Sequence, residues 1–151
     1  MRGAAFVASF FGAGYLPKAP GTWGSLAALP FAWLIMRAGG ASSLAAAAAV
    51  VFVIGVVVSN FATRDTREAD PSWIVIDEVA GQWLTLLVAP PSLIGYAAGF
   101  ALFRLVDIWK PWPIKWSERR FDGGLGIMID DVLAAIYAMI VLGIGRMLLE
   151  R

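Results

Sequence analysis

Residues 44–59 read LAAAAAVVFVIGVVVS, and residues 132–149 read VLAAIYAMIVLGIGRMLL. Both stretches are apolar around the whole helix, so neither has the polar face of a helix on a soluble protein. No charged residue interrupts positions 38–63 or 132–145, and a helix that spans a bilayer needs about 20 apolar residues. The two stretches predict membrane-spanning helices; a soluble bundle around a very buried helix is the alternative interpretation.

Shorter apolar segments fill much of the remaining chain: 26–36, 83–89 and 93–103. Proline and glycine mark the turns between segments, among them Gly39-Gly40. The alternation of apolar and polar residues that is typical of strands is absent. The sequence therefore predicts an all-α, membrane-embedded, single-domain bundle of five or six helices over residues 1–151, without β-sheet. The glycines at 123–126 predict a flexible loop before the last helix.

The uncharged stretch 79–103 turns at Pro90-Pro91, which divides it into two short apolar arms. An arm of about 11 residues rises about 16 Å as a helix, less than the ~30 Å hydrocarbon core. Two interpretations stay open for this hairpin. It either spans the bilayer with the help of flanking residues, or it is re-entrant or buried among the other helices.

The composition excludes several kinds of chemistry. The chain has 151 residues, of which 60% are hydrophobic and 15% are charged, and it contains no cysteine and no histidine. Disulfides, zinc sites built from Cys or His, cysteine nucleophiles and Ser-His-Asp triads are therefore excluded. The formal net charge of +1 gives no indication of a nucleic-acid partner.

The few charges are unevenly distributed along the chain. When the predicted turns are assigned alternately to the two sides of a membrane, ten of the eleven acids, from Asp65 to Asp131, fall on one side. Nine of the twelve basic residues fall on that same side: Arg2, Lys18, Arg64, Arg67, Arg104, Lys110, Lys115, Arg119 and Arg120. The remaining three are Arg37, Arg146 and Arg151. Because basic loops stay in the cytoplasm, the charged side is predicted to be cytoplasmic in a multi-pass topology.

Two acidic pairs stand at the start of apolar runs: Asp77-Glu78 and Asp130-Asp131. Carboxylates in such a place are costly unless they are paired or bind a metal. The alternative is that each pair only complements the positive end of a helix. Two such pairs on one predicted face, without His or Cys, favour a site for Mg²⁺ or Mn²⁺.

Groups suited to phosphate accompany these acids. Arg104, Asp107 and Lys110 can share one helix face among three tryptophans, an arrangement typical of a membrane interface that binds an anionic headgroup. A simple membrane anchor with extended basic side chains is the alternative. The glycine-rich turn over 18–25 opens a helix and offers free backbone N–H groups to phosphate. Together these features predict phosphate chemistry at a bilayer surface.

Four stretches resemble the phosphatidylglycerophosphatase A family: GAGYLPKAPGTWGSLAALP (12–30), IDEVAGQWLTL (76–86), FRLVDIWKPWPIKW (103–116) and DGGLGIMIDDVLAA (122–135). The resemblance implies a bacterial membrane enzyme with a multi-helical fold and no strands. With the charge distribution, this predicts an inner-membrane protein whose active site faces the cytoplasm. The resemblance also implies hydrolysis of the terminal phosphomonoester of the anionic lipid phosphatidylglycerophosphate to phosphatidylglycerol and phosphate, with Mg²⁺ as cofactor.

On this basis we assign roles to the polar residues. The predicted catalytic carboxylates are Asp77, Glu78, Asp130 and Asp131. The predicted metal ligands are Asp77, Glu78, Asp107 and Asp131, where Asp107 either joins the ligands or orients Arg104. The predicted substrate-binding residues are Lys18, Thr22, Arg104, Lys110 and Lys115.

Water attack on phosphorus is favoured over an aspartyl-phosphate intermediate, because the DxDx[TV] motif is absent. Two other classes of protein stay open. A small membrane transporter would place acids at bilayer depth. A structural or assembly subunit would have neither metal nor turnover.

Overall fold

The computed structural model describes residues 2–64, 66 and 68–150, and within them the chain forms six α-helices and no strand. A short 3-10 helix, Ala13–Tyr15, follows the first of them. The α-helices are α1 Arg2–Ala8, α2 Pro20–Thr63, α3 Ile76–Leu86, α4 Leu93–Trp109, α5 Ile114–Arg120 and α6 Gly123–Leu149. The predicted all-α fold is confirmed. Asp65, Arg67 and Arg151, which entered the charge distribution, lie outside the described residues.

Helix α2 contains a reversal of the chain direction. Gly24 lies against Val75 and Gly55 against the neighbouring Ile76, although the two glycines are 31 positions apart. A straight helix would separate them by about 46 Å. The break is at Gly40, whose φ of 70° and ψ of −166° are not helical. The predicted turn at Gly39-Gly40 is confirmed, and α2 is a hairpin of two helical arms.

Helix α3 lies at the centre of the molecule, between α2, α4 and α6. Nine of its eleven residues are buried. The indole Nε1 of Trp83 donates a hydrogen bond to the Ala28 carbonyl oxygen at 2.9 Å, which ties α3 to the first arm of α2. Because α3 is both short and enclosed by protein, the structure agrees with the buried interpretation of the first arm of the 79–103 hairpin.

The outer surface of α2 and α6 is apolar. Among the 18 most apolar consecutive residues of α2, and likewise of α6, only 17% are buried. Leu34, Val53 and Ile140 are 58%, 63% and 55% exposed. Both helices are long and apolar enough to cross a membrane.

The start of α6 differs from the expectation of a flexible loop at 123–126. Helix α6 begins at Gly123, and the backbone N–H of Gly124 donates to the Asn60 side-chain oxygen at 2.8 Å. A Cβ atom at Gly124 would stand 2.2 Å from the Val56 carbonyl oxygen. The loop prediction was wrong, because these glycines allow α6 to approach the backbone of α2 closely and this packing outweighs their low helix propensity.

Replacement of Gly124 by Ala should lower the thermal unfolding midpoint of the detergent-solubilised protein. The added methyl group meets backbone atoms that cannot turn aside, and overpacking of this kind costs about 1–3 kcal/mol. Gly145→Ala is the matched control, because a Cβ atom at this α6 position has no neighbour within 4 Å. Equal midpoints for the two variants would contradict the close approach of α6 to α2.

Candidate active site

Three carboxylates from two helices meet at one end of the bundle. Asp77 and Glu78 belong to the first turn of α3, and Asp131 lies two turns into α6. One oxygen from each of the three side chains lies within 4.8 Å of the others. Asp77 is 6% exposed and Asp131 is 3% exposed. The structure thus brings together three of the four predicted metal ligands in a buried carboxylate cluster.

Several oxygens of the carboxylate cluster have no hydrogen-bond partner among the described residues around it. Asp77 Oδ1, Glu78 Oε2 and Asp131 Oδ2 are buried and have no hydrogen-bond partner among these residues. Burial raises the pKa of Glu78 to about 8, and the nearby charge of Asp131 contributes to the rise. Burial, with the adjacent Glu78, also raises the pKa of Asp77 well above its usual value. Carboxyl groups buried without partners stay ionised at neutral pH only beside a cation, and hard oxygen donors suit Mg²⁺.

Arg104 stands beside the carboxylate cluster and is held in place by Asp107. Its guanidinium Nη1 donates to Asp107 Oδ2 at 2.5 Å and lies 3.7 Å from Glu78 Oε1. Its Nε is buried without a hydrogen-bond partner among the described residues. Asp107 is thus placed to orient Arg104, which is one of its two predicted roles, and Arg104 retains a buried donor for a further acceptor.

The N-terminal end of α2 lies against Glu78 of the carboxylate cluster and against Arg104. A Cβ atom at Gly21 would stand 2.0 Å from Glu78 Oε1 and 3.0 Å from Arg104 Nη2. Thr22, the next residue, is half-buried, and Lys18 is exposed in the preceding turn. The Trp23 indole closes this turn by donating to the Lys18 carbonyl oxygen at 3.1 Å. The positive end of a long helix thus meets Glu78 and Arg104, an arrangement suited to an anion.

Asp130 belongs to a separate polar group. Its Oδ1 accepts a hydrogen bond from Ser117 Oγ at 2.5 Å, and its Oδ2 lies 3.9 Å from Lys110 Nζ. Lys110 also pairs with Glu118. Although burial lowers the pKa of Lys110, the hydrogen bond and charge of Glu118 raise it above its usual value. Since consecutive helix positions point about 100° apart, Asp130 is directed away from the partners of Asp131.

Lys115 is also outside the carboxylate cluster. It is exposed on α5, whereas Ser117, two positions later, is buried and faces Asp130. Two helix positions differ by about 200°, so Lys115 points to the opposite side of α5. The structure does not bring the predicted catalytic Asp130 or the predicted phosphate-binding Lys110 and Lys115 into the cluster.

Sequence reasoning assigned no individual role to three residues near the site: Gln82, and Gly21 and Ser25 of the glycine-rich turn predicted to bind phosphate. Gly21 contacts the cluster directly. Gln82 is fully buried and neither of its side-chain polar atoms has a hydrogen-bond partner among the described residues. Ser25 is likewise buried and unpartnered. The spacing in the sequence could have indicated Gln82 and Ser25. Gln82 follows Glu78 by four positions and Ser25 follows Gly21 by four, so each pair shares a helix face.

Comparison with known proteins identifies the family. The family model of phosphatidylglycerophosphatase A matches residues 6–146. The chain is 42% identical over 127 residues to phosphatidylglycerophosphatase A of Escherichia coli, covering 83% of this chain and 73% of that protein. It is 42% identical over 132 residues to phosphatidylglycerophosphatase A of Haemophilus influenzae, covering 87% and 81%.

A third relative has a different name. The chain is 37% identical over 149 residues to a putative phosphatidylinositol-3-phosphatase of Bacteroides thetaiotaomicron, covering 90% of this chain and 89% of that protein. No solved structure was found to match the chain. The family match extends over most of the chain and includes α3, α4 and α6, which carry the acids and Arg104. The chain therefore belongs to the phosphatidylglycerophosphatase A family.

Proposed function

We propose that this phosphatase hydrolyses the terminal phosphomonoester of phosphatidylglycerophosphate and releases phosphatidylglycerol and inorganic phosphate. Two curated relatives, each 42% identical to the chain, carry the name of this activity. The observation that carries the proposal is the buried cluster of Asp77, Glu78 and Asp131 beside Arg104. It combines a site for a divalent cation with a fixed guanidinium. A bound cation polarises the phosphoryl group, and a guanidinium stabilises the charge on its oxygens.

Mg²⁺ is the proposed cofactor. The three unpartnered oxygens of Asp77, Glu78 and Asp131 fit a hard cation in number, type and burial. These residues would hold the ion. When bound, a divalent ion polarises a phosphoryl oxygen and makes a bound water more acidic.

The protein side chains supply binding and orientation. Arg104, fixed by Asp107, offers its buried Nε to a phosphate oxygen. The N-terminal end of α2 adds the backbone N–H of Gly21 and the positive end of the helix dipole, whereas the Thr22 N–H donates to the Ala19 carbonyl oxygen at 2.9 Å. A water oxygen attacks phosphorus, the bond from phosphorus to the glycerol oxygen breaks, and the glycerol oxygen takes up the proton that the water gives up. Trapping of an acid-stable phosphorylated protein during turnover would indicate an aspartyl-phosphate instead.

The proposed setting is the cytoplasmic face of a bacterial inner membrane. The exposed apolar surfaces of α2 and α6 support insertion of these helices into the bilayer. Asp77 and Glu78 lie in the first turn of α3, and Asp131 directly precedes the uncharged stretch 132–145 rather than interrupting it. This favours an enzyme acting on headgroups over a transporter, whose acids would lie at bilayer depth.

Phosphate release from several lipid phosphomonoesters tests the proposed substrate. The purified full chain in detergent, with Mg²⁺, should release phosphate from phosphatidylglycerophosphate faster than from phosphatidic acid or phosphatidylinositol 3-phosphate. The last lipid is included because of the name of the Bacteroides thetaiotaomicron relative. Faster release from either of the other lipids would overturn the substrate assignment, and no release from any of them would overturn the proposed lipid phosphatase activity.

A further inference from the structure

We propose that α5 carries a second binding site, for the headgroup of an anionic phospholipid of the surrounding leaflet. The site is a cleft of about 240 Å³ lined by Trp112, Lys115, Trp116 and Arg119. It shares no residue with the carboxylate cluster, and its basic groups do not require a phosphomonoester. The proposal uses the membrane setting of the proposed function, but it does not depend on the substrate or on hydrolysis.

The cleft presents two basic groups between two indole rings. Lys115 and Arg119 are one helical turn apart and both are exposed. Trp112 is 76% exposed and Trp116 is 52% exposed. Indole rings favour the headgroup level of a bilayer, and basic side chains at that level attract anionic lipids. The combination matches an anionic headgroup, with its charge at the basic groups and its glycerol and upper acyl region against the rings.

The basic groups of the cleft have no carboxylate partner in the described part of the chain. No Asp or Glu oxygen there lies within 4.0 Å of the Lys115 ammonium or the Arg119 guanidinium. The nearby Glu118 pairs with Lys110 instead. Like charges one turn apart on a helix destabilise it. An anion between them would remove this repulsion, whereas a zwitterionic headgroup would compensate it less.

Helix α5 is fixed so that this face remains outward. Ile114 and Ser117 are fully buried on its inner side, and Ser117 donates to Asp130 of α6. Just before α5, the Tyr137 hydroxyl of α6 donates to the Trp112 carbonyl oxygen. Trp116 is held edge-to-face against Phe121, with ring centroids 6.4 Å apart. The cleft is therefore preorganised, which reduces the entropic cost of binding.

The position of the cleft fits a lipid rather than a soluble anion. Helix α5 follows directly on α4, which carries Arg104 and Asp107 of the active site. Leu105, Ile108 and Trp109 on α4 are 62%, 70% and 70% exposed, so the helix that precedes the cleft also presents apolar side chains. An occupant of the cleft meets basic groups at Lys115 and Arg119 and apolar ring surface at Trp112 and Trp116, as a phospholipid requires.

Quenching of tryptophan fluorescence by brominated lipids tests the site. The purified full chain in a neutral detergent is titrated with brominated phosphatidylserine and, separately, with brominated phosphatidylcholine. Phosphatidylserine has no terminal phosphomonoester, so it is not the proposed substrate, and its serine headgroup distinguishes it from the product phosphatidylglycerol. The wild-type protein should reach half-maximal quenching at a lower concentration of phosphatidylserine than of phosphatidylcholine. In Lys115→Gln/Arg119→Gln, the concentration of phosphatidylserine required should rise about fivefold for each basic side chain removed.

Two further variants make the result specific. Arg2→Gln/Arg64→Gln also removes two exposed basic residues, outside the cleft, and should bind phosphatidylserine like the wild type. Lys115→Arg/Arg119→Lys preserves both charges and should also keep the preference. All four substituted positions are exposed, so unchanged thermal midpoints are expected.

Three outcomes would overturn the proposal. They are equal quenching of the wild type by the two lipids, an unchanged titration for the Gln variant of the cleft, and an equal loss in the control that lacks Arg2 and Arg64. Failure of the proposed function is distinguishable, because it would appear as absent phosphate release while this lipid preference persisted. A wild-type protein that shows no preference between the two lipids but releases phosphate normally would overturn the second site alone.

Discussion

Replacement of Asp131 by Asn is expected to lower the rate of phosphate release by on the order of a thousandfold, since a metal site contributes several kcal/mol of transition-state stabilisation. Asp131 supplies one of the three clustered oxygens and is 3% exposed. Asn has nearly the same shape but no charge, so the change removes a cation ligand without opening a cavity. Asp122→Asn is the control, because Asp122 is an exposed carboxylate at the start of α6 whose side chain makes no capping hydrogen bond.

A measurement that does not depend on turnover separates loss of the metal from loss of the fold. Mg²⁺ at a hundredfold excess over its Kd should stabilise the wild type by about 2.7 kcal/mol, a rise in the thermal midpoint of roughly 5–10 °C. Asp131→Asn should lose this rise. Its metal-free midpoint should equal or exceed that of the wild type, because one of three mutually repelling carboxylates is neutralised. Activity and a Mg²⁺ response like those of Asp122→Asn would contradict the assigned site.

The helical architecture is predictable from the sequence because it depends on local patterns. The uncharged apolar stretches predict α2 and α6, and the glycine pair around Gly40 predicts the reversal within α2. The glycines at 123–126 were interpreted by their backbone propensity, whereas their place in α6 depends on the approach of Gly124 to the backbone of Val56. A contact between positions so distant in the chain leaves no periodic signal in the sequence.

The sequence identifies most of the charged residues of the site, but it does not show which of them lie together in the structure. The sequence singled out both acidic pairs and Arg104 as unusual charges in an apolar chain, and the structure places Asp77, Glu78 and Asp131 together. It separates Asp130 from Asp131, because neighbours on a helix face different directions and Ser117 provides Asp130 with a partner. Which of two adjacent acids faces the cluster depends on the rotation of α6 against α3, which the sequence pattern does not encode.

Gly21→Ala is expected to reduce activity about a hundredfold while leaving stability nearly unchanged, since displacement of a catalytic group by about 1 Å can cost that much. The added Cβ atom would stand 2.0 Å from Glu78 Oε1 and 3.0 Å from Arg104 Nη2. Both atoms are at the ends of long side chains, so they can move aside without unfolding the protein. Their movement displaces the Glu78 carboxylate from the cluster and alters its 3.7 Å contact with Arg104.

The backbone at Gly21 does not require glycine, and this makes the substitution informative. Gly21 lies in the first turn of α2 with no positive φ, so alanine fits the conformation and favours the helix. Gly143→Ala makes the same chemical change in α6, where a Cβ atom has no neighbour within 4 Å, and should keep full activity. Steady-state phosphate release and thermal midpoints of the two variants are compared with the wild type. A Gly21→Ala protein as active as Gly143→Ala would show that Glu78 and Arg104 need not keep their positions for turnover, and a large fall in its midpoint would assign Gly21 to folding instead.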